Sequence, residues 1–96
     1  MALGHVYFER KEYDEALRWY EAAARSRKQR ASAQRAIGRT LIALEDYREA
    51  AAAYEQAIRL TPFARPEDLR QYADCLRQTH REHTADEIEQ LAEEKA

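Results

Sequence analysis

Apolar residues recur along this chain at three- and four-residue steps, the spacing of one face of an α-helix. Ala16, Leu17, Tyr20, Ala23 and Ala24 form one such stripe, and Ala36, Ile37, Thr40, Leu41 and Leu44 form another. Leu69, Tyr72, Ala73 and Leu76 make a third, followed by Ala85, Ile88, Leu91 and Ala92. The pattern predicts a first helix over Ala2–Arg10, a turn at Lys11–Asp14 and a second helix from Glu15 to about Arg27, with Arg25, Arg27 and Lys28 meeting the negative pole of its dipole. Ser32 is the expected N-cap of the third helix, although Arg35 stands where a capping box needs an acid. Asp46 with Glu49 predicts a complete box for the fourth, which should end near Leu60 because Thr61-Pro62 cannot continue it. Pro66 suits the first turn of a fifth helix, and Thr84 with Glu87 predicts another capping box before the sixth.

The stripes repeat in register. Gly4, Tyr7, Tyr13, Ala16, Tyr20 and Ala23 return 34 positions later as Gly38, Leu41, Tyr47, Ala50, Tyr54 and Ala57. Glu15/Glu49, Glu21/Glu55 and Arg25/Arg59 match at the same offset. A fixed period of this length marks a supersecondary unit that stacks on copies of itself. The spacing G-x-x-[Y/L] followed by A-x-x-x-Y resembles the tetratricopeptide repeat, clearly over two units and more loosely over the rest. The resemblance implies an all-α fold: an α-α superhelix, right-handed, of three antiparallel helix–turn–helix repeats. The expected units, within a single domain over residues 1–96, are approximately 1–28, 29–62 and 66–96. In the third unit the first-helix stripe falls 35 residues after its counterpart and the second-helix stripe 34, so the Phe63–Pro66 linker gains one residue and the following turn loses one.

Small residues stand opposite one another on paired helices at Gly4 and Ala16, Gly38 and Ala50, and Ala73 and Ala85, where they would let the backbones approach. Tyr20 and Tyr54 are expected to fill the space between a unit and its neighbour, and Ala23 and Ala57 to make room for the next first helix. Pro62 resembles the proline that ends a repeat; Lys28 occupies that position in the first unit. The last helix is polar outside its stripe, as a terminal repeat requires.

Composition agrees with a thin helical stack: 96 residues, 45% apolar and 35% charged, with only two Gly and two Pro against nineteen Ala. The net charge of −2 singles out no polyanion as partner. Thirteen of the sixteen basic residues are Arg, a usage that hints at a GC-rich bacterial genome. The lone Cys75 rules out an internal disulfide framework and fits a reducing compartment, so a cytoplasmic location is expected. No apolar run approaches the length of a membrane span, and Met1 opens no signal peptide. The chain nevertheless opens inside a repeat, which leaves a periplasmic or membrane-anchored parent open. Leu3, Tyr7 and Tyr20 should lie near an uncovered edge, which predicts homo-oligomers or further repeats ahead of Met1.

Candidate chemistry is sparse. His80 and His83, with Glu82 and Glu87, could face one helical turn, but no third or fourth ligand follows at a zinc spacing, and a solvated turn explains them as well. Cys75 has no base or orienting group within its sequence neighbourhood. With no Gly-rich phosphate loop, no H-E-x-x-H and no Ser/His/Asp arrangement, neither an enzyme nor a cofactor is predicted. Arg25–Arg30 holds four positive charges and could meet nucleic acid or an anionic membrane, or simply be a solvated loop. Tyr7, Phe8, Trp19 and the other aromatics could stack on bases, but at helical spacing they read as packing, with Trp19 at the stripe's margin.

The resemblance implies a concave surface, lined by the first helix of each unit, that binds an extended peptide or a partner helix. His5 and Phe8 from the first unit, Arg35, Arg39 and Ile42 from the second, and Arg70, Asp74 and Arg77 from the third are the positions turned away from the apolar stripes. Such a surface would suit a protein segment carrying acids beside an apolar anchor. His5, Arg39 and Asp74 stand where the carboxylate clamp of chaperone-binding members would have Asn or Lys, so no chaperone C-terminus is predicted as ligand. The expected function is a non-enzymatic adaptor. An inert solvated face, or an architectural segment that joins units of a longer protein, is the alternative.

Overall fold

The computed structural model describes residues 1–79 and the backbone of 82–95, with side chains for all of these except 82–87 and 95. Six helices follow one another: α1 (Ala2–Glu9), α2 (Tyr13–Ala23), α3 (Arg30–Ala43), α4 (Tyr47–Arg59), α5 (Pro66–Gln78) and α6 (Glu82–Lys95). Among the described residues there is no strand, and no helix is long and apolar enough to cross a membrane. Each helix packs chiefly on the one before and the one after it, so α1/α2, α3/α4 and α5/α6 form three hairpins in a row.

Two hairpin turns share one mechanism. Lys11 and Glu45, 34 residues apart, both adopt the left-handed conformation at φ 62°. The Lys11 N–H bonds to the Phe8 carbonyl at 2.9 Å and the Glu12 N–H to that of Tyr7 at 2.9 Å. Glu45 and Asp46 repeat this on Ile42 and Leu41, at 2.9 and 2.8 Å. These paired bonds are the Schellman closure of a helix C-terminus. They also explain a departure from expectation. Asp46 is the N-cap of α4, but its carboxylate makes no capping bond. Its backbone is held by the end of α3, so the anticipated box with Glu49 does not form.

Other boundaries move as well. α2 starts at Tyr13 and stops at Ala23, so Arg25, Arg27 and Lys28 lie beyond its last turn. The carbonyl end is met instead by Arg30, whose Nε donates to the Ala24 carbonyl at 3.0 Å. α3 starts at Arg30 with Gln29 as N-cap, which places Ser32 inside its first turn. Pro66 does open α5. The Thr84–Glu87 box and the Ala85 contact lie outside the described side chains.

The interior is made of small residues and a few large ones. Ala16, Ala33, Ala50, Ala57 and Ala73 are fully buried, and the largest fully buried side chains include Tyr20 and Tyr54. A Cβ placed on Gly4 would lie 2.6 Å from Cε1 of Tyr20, and one on Gly38 2.6 Å from Cε2 of Tyr54. The ring of the second helix thus lies flat on the glycine of its own first helix. The gap left by glycine is filled by tyrosine within the unit, where the sequence suggested backbone approach alone. The third unit lacks both partners. It has Ala73 at the glycine position and Ile88 at the tyrosine position, and Ile88 packs against the core.

A non-glycine residue in the left-handed region costs about 1 kcal/mol or more. Glu45→Gly is therefore expected to leave the fold unchanged and to raise stability by up to about 1 kcal/mol, less the entropy that glycine adds to the unfolded chain. Urea denaturation checks it; a loss greater than that of Glu49→Gly, within α4, would show that the turn does not depend on this closure.

Candidate protein-binding groove

Three clefts run along the first-helix side of the hairpins. One of about 220 Å³ is bounded by His5, Phe8, Glu9, Tyr20, Ala36 and Arg39. A second, of about 420 Å³, is lined by Arg35, Arg39, Tyr54, Arg65, Glu67, Asp68 and Gln71. A third, of about 270 Å³, is formed by Ile42, Tyr47, Gln71, Asp74, Cys75, Arg77 and Gln78. Arg39 is common to the first two and Gln71 to the last two, so the clefts form one continuous surface. Of the eight groove positions expected from the sequence, seven line it; Arg70 is exposed but borders none of the three.

At the head of the groove the guanidinium of Arg39 lies 5.6 Å from the centre of the Phe8 ring, a cation–π contact between two units. Phe8 in turn meets Tyr13 edge-on at 5.5 Å. Nδ1 of His5 and the hydroxyl of Tyr20 lie 2.6 Å apart in a hydrogen bond. Burial raises the pKa of Tyr20, with Arg39 opposing, so this hydroxyl stays neutral. The Tyr54 hydroxyl is pushed up further, by burial first and by neighbouring Cys75 second. The floor of the groove is therefore hydroxyl and ring, and its walls carry the charge.

Not every arginine on this face is available. Arg35 donates from Nε to both carboxylate oxygens of Asp68, at 3.0 and 2.8 Å. Asp68 is buried in the first turn of α5, where the helix dipole also favours an anion. This pair ties the second unit to the third. The sequence reading set Arg35 apart from the core and gave Asp68 no role. The available signal was an acid in a stretch whose counterpart, 35 residues earlier, is the buried Ala33. Arg77 is likewise engaged, holding Glu89 of α6 through both terminal nitrogens and lying 3.4 Å from Asp74. The Tyr72 hydroxyl donates to Glu55 at 3.2 Å and links α5 to α4.

The other candidates separate cleanly. Every tyrosine is at least half-buried, which leaves Trp19 and Phe63 as separate exposed aromatics rather than parts of a stacking platform. Cys75 is buried and its thiol is pushed up to about 11, chiefly by desolvation, so little thiolate exists near neutral pH. In the Arg25–Arg30 loop, Arg30 is turned back onto the end of α2. His80 and the side chains of His83 and Glu87 lie outside the described residues, as does the metal reading built on them.

Residues 1–62 match the family model described as Tetratricopeptide repeat. The chain belongs to the tetratricopeptide repeat family. The match spans α1 to α4 and ends at Pro62, where the second unit closes. No curated protein matches the chain. Tetratricopeptide repeat domains are in general protein-binding modules without catalytic activity of their own.

Removing one partner of a buried ion pair strands the other charge. A double-mutant cycle of Arg35→Ala and Asp68→Ala is expected to give a coupling of about 1–3 kcal/mol in thermal or urea unfolding. The exposed Arg59–Glu55 pair, at 2.5 Å, should give under about 0.5 kcal/mol. Equal couplings would show that Asp68 does not join the units.

Proposed function

We propose that this chain is a non-enzymatic adaptor that docks an extended peptide or a helix of a protein partner along the first-helix face of its repeats. The observation that carries the reading is the continuity of the three clefts through Arg39 and Gln71. With Arg35 and Arg77 committed inside the fold, Arg39 and the exposed Arg65, which lies 3.3 Å from the exposed Glu67, are the cations that the clefts offer to a ligand. Phe8 and Ile42, both half-buried, provide apolar surface beside Arg39. Arginine presents a planar fork to carboxylates and stacks on rings, so the fitting partner carries Asp or Glu next to an aromatic or aliphatic residue. His5, Arg39 and Asp74 replace the Asn and Lys of a carboxylate clamp, which argues against a chaperone C-terminus as ligand. Stacking with further units or copies would use a different face, on α1 and α2, and leaves the groove open.

A random peptide display selection on the purified chain tests this. The selected peptides are expected to be acidic with an apolar anchor, and to lose about 2 kcal/mol of affinity on Arg39→Ala, as central interface arginines do. Gln56→Ala, on the second helix of its unit, should leave binding unchanged. Peptides indifferent to Arg39→Ala and Phe8→Ala alike would place the binding surface elsewhere and overturn the reading.

A further inference from the structure

Antiparallel hairpins in a row bring the linkers between them to one end of the stack and the turns within them to the other. The chain crosses from hairpin to hairpin at residues 24–29 and 60–65. Neither linker holds an acid, and Arg25, Arg27, Lys28 and Arg65 are exposed along them. Arg30 and Arg59, on the adjoining helices, are exposed as well. The turns at the opposite end, residues 10–12 and 44–46, hold Glu12, Glu45 and Asp46 against Arg10 and Lys11. A net charge of −2 thus conceals a basic end. Arg59 is paired with Glu55 and Arg65 with Glu67, but Arg25, Arg27 and Lys28 make no ion pair among the described residues. The same end carries Phe63, 84% exposed, and Leu60, 43% exposed. Both lie in the linker between the second and third hairpins, each of which is present, so their exposure does not come from where the chain begins or ends.

We propose that this end of the stack docks on an anionic lipid surface. Arg25, Arg27 and Lys28 meet the headgroup phosphates, and Phe63 and Leu60 enter the boundary between headgroups and acyl chains. Bases near an anionic bilayer are attracted individually and weakly, and buried apolar surface adds to that attraction. The chemistry of the two linkers supplies both parts at one end of the fold. A nucleic acid fits less well. Base stacking calls for successive aromatic rings, and the linkers offer one ring, Phe63, beside an aliphatic Leu60. None of Arg25, Arg27, Lys28, Leu60 and Phe63 borders the three groove clefts, so lipid docking leaves the groove to a protein segment.

Co-sedimentation of the 96-residue chain is measured with vesicles of phosphatidylcholine alone and of an equal mixture with phosphatidylglycerol. Binding is expected on the mixture only, and should weaken as salt rises. Arg25→Gln, Arg27→Gln and Lys28→Gln made together should lower it by about tenfold or more. Phe63→Ser should lower it by about tenfold, with helical signal unchanged because the ring packs on little. Leu44→Ser, at the opposite end and 42% exposed, should leave binding as it is. Trp19 is the single tryptophan, so Phe63→Trp in a Trp19→Phe chain places one reporter in the linker. Its emission should shift to the blue on the mixed vesicles and stay unshifted with a single-stranded oligonucleotide. Retention on neither vesicle or equally on both, a Phe63→Ser variant that binds as well as the native chain, an unshifted emission on the mixed vesicles, a blue shift with the oligonucleotide, or an equal loss from Leu44→Ser would each overturn the proposal.

Discussion

The contact on which the stack depends is a tyrosine ring lying on a glycine. With no side chain on Gly4 or Gly38, the first helix of a unit accepts the flat ring of Tyr20 or Tyr54 at a distance that even a methyl group would forbid. This close approach draws the two helices of a hairpin together and buries the alanines around them. It also sets the width of the unit, and therefore the spacing at which successive first helices face the groove. Protein interiors are close-packed, so a change of one methyl group at such a point is felt through the unit.

Charge on the groove face divides into two tasks. Arg35 and Arg77 are paired with acids on neighbouring helices and hold the hairpins in register. Arg39 is held over Phe8 and lines two of the clefts. The same residue type at the same helical face thus ties helices together at two positions and lines the clefts at another. What separates them is the acid within reach: Asp68 for Arg35, Glu89 for Arg77, and no acid paired with Arg39 among the described residues. Removing Arg35 would therefore strand the buried Asp68, whereas removing Arg39 gives up its contact with the Phe8 ring.

Much of the fold was legible because it is periodic. Helix identity, hairpin pairing and the stop at Pro62 all follow from spacing and from residues whose effect is local. Outward positions follow from inward ones, and seven of the eight residues named from the sequence border the clefts; their role in binding belongs to the proposal. Capping was misread at Ser32 and at Asp46, because a side chain suited to a cap forms one only when the backbone leaves it in place. The Schellman turns at Lys11 and Glu45 were not anticipated, since neither carries the glycine that usually marks a left-handed residue. The Arg35–Asp68 pair was missed for a different reason. Its partners are 33 residues apart, and nothing in helical periodicity links them.

The glycine–tyrosine account makes a direct prediction about exchange between units. Gly38→Ala alone places a methyl group against the Tyr54 ring, and Tyr54→Ile alone empties the space beside Gly38. Made together they reproduce Ala73 and Ile88 of the third unit. The measurement is a double-mutant cycle of these two substitutions by urea denaturation. The account predicts that each single variant is destabilised and that the pair recovers about 1–3 kcal/mol relative to their sum. Additivity to within about 0.5 kcal/mol, or a gain in stability from Gly38→Ala alone through helix propensity, would contradict it.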